Sequence, residues 1–162
     1  MPFVRTLLLG VLLSMGLAVL AEPAAAQNAR TVSRSVALDR DGQVTLDTFT
    51  GRIDVTAWDQ NRVQVEARIE SDDVELVEKT ALRFDATDRR LSIEVDYDEV
   101  KDSQEFLGLF NIGDVDRPAV EFTIKMPRTA ALTVDDFSSE ISVTGLRANL
   151  TLDTFSSSIT LR

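Results

Sequence analysis

The 162-residue chain contains no cysteine and no histidine. Without cysteine it can form no disulfide, cysteine nucleophile or lipid-modified cysteine, and without histidine it can form no Ser–His–Asp triad. Zinc and iron sites that depend on these two residue types are excluded as well. The sequence also contains neither a Walker loop nor the GxGxxG dinucleotide pattern. We therefore predict a non-enzymatic chain with no catalytic residues and no cofactor.

Basic side chains are also scarce, with 17 Lys and Arg against 27 Asp and Glu, which gives a formal net charge of −10. Nucleic-acid binding needs basic patches, so we predict no nucleic-acid partner. The same acidity disfavours docking on anionic lipid headgroups. It suits an exported protein that meets cations or basic partners.

The first 26 residues have the pattern of a secretory signal peptide. Arg5 supplies the positive charge, residues 7–21 form an apolar stretch, and Ala24, Ala25 and Ala26 precede a cleavage point at Gln27. A membrane anchor is the alternative, but 15 apolar residues are short for a bilayer span. We expect export to the periplasm or the cell surface, with no stable membrane span after cleavage. Residues 27–35 are predicted to be a flexible lead-in, and residues 36–162 a single β-strand-repeat domain.

Three segments of that domain repeat one pattern. They are VTLDTFTGRIDV at residues 44–55, LTVDDFSSEISV at residues 132–143 and LTLDTFSSSITL at residues 150–161. Each copy alternates as a strand does, bends after its aspartate, turns at Ser or Gly, and alternates again. Such a unit cannot bury its own apolar face, but stacked copies can. The pattern predicts a β-solenoid in which Phe137 lies under Phe155 and Ile141 under Ile159.

These segments resemble the putative-adhesin family of bacterial β-strand-repeat proteins (domain of unknown function 4097). The matching pieces are TGRIDVTAWD at residues 50–59, SSEISVTG at residues 138–145 and SSSITL at residues 156–161. Ser139 and Ser157 depart from the family pattern, which has glycine there. The resemblance implies a right-handed β-solenoid in the bacterial envelope without known catalytic residues.

The first half of the domain is less regular than the repeats. Residues 62–70 alternate without a corner, which predicts longer, partly antiparallel strands. Residues 72–79 are the one helix candidate, capped by Asp72 or Asp73, and residues 82–97 read as a hairpin. Residues 98–117 form an acidic insertion in which the strand pattern fails. The predicted fold is therefore all-β, with at most one short helix and a solenoid-like C-terminal half.

Two groups of residues are candidate sites. Asp47, Asp135 and Asp153 occupy one position of the repeat, so they form an outer row that could hold a hard cation such as calcium. Alternatively, each aspartate accepts backbone N–H bonds at its own corner. The second group is an apolar cluster inside the acidic insertion, which either covers one end of the strand stack or contacts a partner. It comprises Phe106, Leu107, Leu109, Phe110 and Ile112.

The last copy ends at Leu161 without a polar cap, which predicts a strand edge that pairs with another copy of the chain or with a further partner. A chain shorter than its relatives is the other explanation. We therefore expect a non-catalytic envelope protein, a binding or assembly module whose partner is an unknown envelope protein or glycan. A structural or signalling accessory that acts through the cluster at residues 106–112 is one alternative. A carboxylate-based glycan-active enzyme is another.

Overall fold

The computed structural model describes residues 28–100 and 117–162, which form eleven β-strands and one short α-helix with defined bounds. In chain order the elements are β1 (Asn28–Ala37), β2 (Gln43–Asp47), β3 (Thr50–Trp58), β4 (Arg62–Ser71), α1 (Val74–Lys79), β5 (Ala81–Ala86), β6 (Arg90–Asp96), β7 (Ala119–Pro127), β8 (Ala131–Asp136), β9 (Ser138–Thr144), β10 (Leu150–Thr154) and β11 (Ser158–Leu161). The all-β class is therefore confirmed.

The strands form two mixed sheets whose facing sides supply the core. One sheet has the order β1-β4-β7-β3-β9-β11 and the other the order β10-β8-β2-β6-β5. Strand β4 shows how the sequence produces this arrangement: its apolar residues recur at every second position and are buried, whereas the residues between them are exposed. Burial of each large apolar side chain contributes roughly 1.5–3 kcal/mol, which fixes the inward face of every central strand.

The three copies of the repeat form three stacked strand pairs, which we call rungs. Rung 1 is β2 with β3, rung 2 is β8 with β9, and rung 3 is β10 with β11. Strands of neighbouring rungs are parallel and in register, with Leu132 between Val44 and Leu150 and with Ile141 opposite Ile159. The predicted stacking of the second copy on the third is therefore confirmed, the position of rung 1 beside rung 2 is a finding of the structure, and the right-handed winding stays a prediction.

Strands β6 and β7 lie on the other side of rung 1, parallel to β2 and β3 respectively. They make an incomplete rung that continues the stack beyond rung 1. Beyond them the pairing becomes antiparallel, between β4 and β7, β1 and β4, and β5 and β6. Longer, partly antiparallel strands in the first half were predicted, and the ten-residue β1 and β4 confirm them.

Two features differ from the prediction. The flexible lead-in was placed at residues 27–35, but residues 28–35 lie in β1, which pairs with β4 along its whole length. Its side chains are mostly polar and exposed, so pairing to β4 rather than apolar burial holds it in the sheet. At most one helix was expected, yet residues 98–100 are also helical. The Asp96 carboxylate accepts a hydrogen bond from the Asp98 N–H, which favours the start of a helix at residues 98–100.

The predicted helix is present as α1. Asp73 is its N-cap and accepts a hydrogen bond from the Glu75 N–H at 2.8 Å. Leu76 and Val77 are buried, and the helix packs against β1 and β4. One end of the stack is therefore partly covered by α1.

Candidate functional site

Exposed apolar side chains concentrate at the rung 3 end of the stack. In residues 28–100 and 117–162, five large apolar residues are exposed, and four of them belong to rungs 2 and 3. Phe155 is 79% exposed, Leu161 59%, Ile159 45% and Phe137 44%. Leu150 and Leu152 lie on β10, the rung 3 strand of the other sheet, and are half-buried. We call Leu150, Leu152, Phe155, Ile159 and Leu161 the open face.

Both sheets end at this open face. Strand β10 is the last strand of one sheet and β11 is the last strand of the other, so two strand edges lie side by side. Strand β11 contains no charged residue and β10 only Asp153, whereas the edge strands at the far end carry Arg30 and Arg34 in β1 and Arg83 and Asp85 in β5. Charged side chains protect an edge against pairing with another strand. The edge at rung 3 has far less of this protection.

A column of phenylalanine rings runs along the corners of the rungs and ends at the open face. Phe49 and Phe137 are stacked with ring centroids 4.7 Å apart, and Phe137 and Phe155 with centroids 5.0 Å apart. These spacings match the separation of neighbouring strands. The Arg117 guanidinium lies 4.1 Å from the Phe49 centroid and closes the column at its inner end by a cation–π contact. The outer end is the exposed ring of Phe155.

Asp136 links rung 3 to rung 2 behind this column. Its carboxylate is only 4% exposed and accepts hydrogen bonds from the hydroxyls of Ser139 in its own rung and Ser157 in the next. The Ser157 hydroxyl also accepts a hydrogen bond from the Ser139 N–H at 3.0 Å. The serines that occupy the glycine position of the repeat therefore satisfy a buried carboxylate. Sequence analysis missed this link, although an aspartate in place of the repeat's threonine at position 136 is its sequence signal.

The predicted aspartate row exists. The register places Asp47 beside Asp135 and Asp135 beside Asp153, and it adds Glu94 on the far side of Asp47. We call these four residues the acidic row. Burial, followed by the negative charges of Asp135 and Glu94, raises the pKa of Asp47 above its usual value. Among the described residues no group of three carboxylates converges closely enough to hold a metal ion. Cation binding therefore stays a prediction.

Two further features bear on catalysis. Burial raises the pKa of Tyr97 to about 12, so its phenol is neutral at physiological pH. A notch beside Trp58 and the Arg128–Asp59 ion pair has a volume of about 80 Å³. Ordinary ligand pockets hold roughly 300–1,000 Å³. Neither feature resembles an active site.

The second predicted site lies outside the described residues. The cluster of Phe106, Leu107, Leu109, Phe110 and Ile112 lies between the described ranges, so its partner contact stays a prediction. Sequence analysis did pair Phe137 with Phe155. It missed Phe49 and Arg117 at the inner end of the column, although Phe49 stands at the same repeat position.

Comparison with known proteins gives similarity at the level of solved structures. No family model matches the sequence, and no curated protein matches it. A putative cell adhesion protein from Clostridium sporogenes is 10% identical with a TM-score of 0.45 over 77% of this chain and 57% of that chain. A putative adhesin from Bacteroides fragilis is 13% identical with a TM-score of 0.36 over 82% and 56%. A putative lipid binding protein from Parabacteroides distasonis is 13% identical with a TM-score of 0.32 over 83% and 61%.

The chain spans somewhat more than half the length of these structures. The family predicted from the repeat motifs therefore stays a resemblance.

Proposed function

We propose that the protein is a non-catalytic, exported envelope protein that binds or assembles through its open face. The observation that carries this proposal is the coincidence of two strand edges that have little charge with the largest group of exposed apolar side chains among the described residues. Strand addition to an edge supplies backbone hydrogen bonds, and apolar side chains on the added segment supply hydrophobic burial. The partner surface is therefore a strand-forming segment with alternating apolar residues.

Export is supported by the N-terminal sequence, whose signal-peptide pattern predicts cleavage before Gln27. In residues 28–100 and 117–162, no helix is long and apolar enough to cross a membrane.

The right-handed winding is part of the same proposal. Strands β8 and β10 are parallel neighbours in one sheet, and the chain passes through β9 in the other sheet between them. Parallel crossovers of this kind are right-handed in about 98% of cases.

A carboxylate-based glycan enzyme has less support. Glycoside cleavage needs two carboxyl groups that flank the bond from opposite sides. Asp47, Asp135 and Asp153 instead lie side by side on neighbouring strands of one sheet.

A peptide titration tests the open face. A fluorescently labelled peptide with the sequence of residues 150–161 is the probe, because rung 2 already holds that sequence in place. We expect saturable binding to the protein, measured by fluorescence anisotropy, and no binding of a scrambled peptide. The double variant Ile159→Lys and Leu161→Lys should weaken binding at least tenfold, because it places two charges on the edge.

Val74→Lys is the matched control. Val74 is 54% exposed but lies in α1, so the variant should bind like the wild type. Equal weakening by the control, or no difference between the native and scrambled peptides, would contradict binding at the open face.

A further inference from the structure

The open face repeats a surface that already binds a strand pair within the protein. Rung 2 receives rung 3 through Leu132, Val134, Ile141 and Val143, all of them buried. At the equivalent positions rung 3 carries Leu150, Leu152, Ile159 and Leu161, which are half-buried or exposed. The chemistry of the open face therefore matches an apolar, alternating strand pair like the chain's own.

Electrostatics limits how such a strand pair can be added. A parallel, in-register addition of the same motif would place another aspartate beside Asp153 and so lengthen the acidic row. Burial raises the pKa of Asp47 most, and the charges of Asp135 and Glu94 raise it further, so close carboxylates already have a cost in that row. An antiparallel addition avoids this, since a register centred on Leu152 sets Asp153 opposite Thr151 of the added strand. Like charges directly opposite each other destabilise a strand pair, whereas a threonine there does not.

We infer that the open face binds the open face of a second copy of this chain, with the two edges antiparallel about a twofold axis. This inference rests on the proposed function and names the partner of the same site. In a twofold contact the same patch is used on both sides, so residue and partner residue exchange places. The pairing occupies both open faces, and the product is a closed dimer rather than a growing filament.

The size of the open face sets the expected strength. Rung 3 contributes twelve residues, from Leu150 to Leu161, whereas a standard interface uses roughly 20–30 residues a side. Association should therefore depend on concentration instead of being permanent. The measurement must span a wide concentration range to detect it.

The test is the solution mass of the purified full-chain protein, measured by sedimentation equilibrium and light scattering from low micromolar to millimolar concentration. We expect a rise from the monomer mass to a plateau at twice that mass. The variant Ile159→Lys with Leu161→Lys should raise the dissociation constant at least tenfold, and Val74→Lys should leave it unchanged. A milder variant, Leu161→Thr, covers the case in which the double variant unfolds, and it should also weaken the dimer.

A pair of charge-neutralising variants tests the direction of the strands. Asp153→Asn and Asp85→Asn make the same change in net charge, but Asp85 lies in β5 at the opposite edge of the sheet. For an antiparallel dimer the two variants should have dissociation constants within about threefold of each other. A selective tightening of tenfold or more by Asp153→Asn would overturn the antiparallel arrangement.

The outcomes separate this inference from the proposed function. A monomer at every concentration overturns the dimer, and growth in mass beyond twofold overturns the closed twofold contact. If the labelled peptide still binds in either case, the open face remains a strand-binding surface for another partner. If neither the peptide nor a second copy binds, both proposals are wrong.

Discussion

Asp136 is the residue on which the attachment of rung 3 depends most directly. Its buried carboxylate bonds to Ser139 in rung 2 and to Ser157 in rung 3, so a single side chain connects the two corners. A buried hydrogen-bond donor or acceptor that is left without a partner lowers stability by roughly 1–3 kcal/mol. The interaction therefore decides how firmly the outermost rung is held.

Replacement of Asp136 by alanine should lower the free energy of unfolding by about 1–3 kcal/mol, because two serine hydroxyls lose their acceptor. Asp136→Asn should cost less, since the amide oxygen can still accept one hydrogen bond. Urea unfolding monitored by circular dichroism measures both. Asp135→Ala is the control, because that neighbouring side chain is exposed and should change stability by no more than about 0.5 kcal/mol. An equal loss in the control would refute the role of Asp136.

Asp47 links pH to stability with the opposite sign from a salt-bridged carboxylate. Burial and the charges of Asp135 and Glu94 raise its pKa in the folded state, so the native protein holds this proton more tightly than the unfolded chain does. Above both pKa values the ionised carboxylate therefore lowers stability. That penalty disappears as the pH falls below the unfolded value of about 3.9.

Asp47→Asn should accordingly raise the free energy of unfolding at pH 7, by about 0.5 kcal/mol or less, because the carboxylate is only partly shielded and solvent still screens its charge. The advantage over the wild type should stay constant above the folded-state pKa of Asp47 and shrink as the pH falls through that pKa toward 4. Asp85→Asn, on the exposed part of β5, should show no such trend. Paired urea titrations across this range measure the difference. An advantage that grows at low pH would show that the sign is wrong.

At the scale of whole elements, Gly51 determines how closely β3 and β7 approach. It has a φ of 138°, and a Cβ atom placed on it would lie 2.1 Å from the Val120 carbonyl oxygen. Ser139 and Ser157 occupy the same repeat position without glycine, and no non-glycine residue of the described ranges has a positive φ. Glycine is therefore needed in rung 1, whereas in the later rungs the position is free to supply a hydroxyl to Asp136.

Gly51→Ala should destabilise the protein by about 3 kcal/mol or more, since the backbone of β7 must move as well as that of β3. Gly145→Ala is the graded control. Gly145 also has a positive φ, 77°, but the nearest atom to its added Cβ would be 3.7 Å away. Gly145→Ala should lower the free energy of unfolding by only about 1–2 kcal/mol, which is the cost of a Cβ atom at positive φ. Urea midpoints compared at a common slope measure the difference, and similar losses in both variants would contradict the close approach of β7.

Local periodicity predicted the elements that bury an apolar face. The alternation of residues 62–70 became β4, and the adjacent copies at residues 132–143 and 150–161 became adjacent rungs. Strand β1 was missed because its residues are mostly polar, so only the pairing partner β4 reveals it. The position of rung 1 beside rung 2 was missed for another reason. A single sequence gives no information on which of several like segments pair across a long separation.

On the scale of the whole molecule, the order of the rungs in space differs from their order along the chain. Rung 1 comes first in the sequence, yet β6 and β7 lie outside it, and rungs 2 and 3 follow on its other side. The stack therefore has one end where antiparallel strands and α1 partly cover the core, and one end where rung 3 is open. In residues 28–100 and 117–162, this difference between the ends leaves the open face as the largest group of exposed apolar side chains, which is why we propose binding there.

Export can be tested in one preparation of the whole protein. We expect the full chain, expressed in a bacterium, to be recovered outside the cytoplasm with Gln27 as its first residue, as measured by fractionation and intact-mass spectrometry. Arg5→Glu with Ala26→Leu removes the positive charge and the small residue before the cut, and should leave the chain unprocessed. Processing that is unaffected by these changes, or full-length protein in the cytoplasm, would show that residues 1–26 are not a cleaved leader.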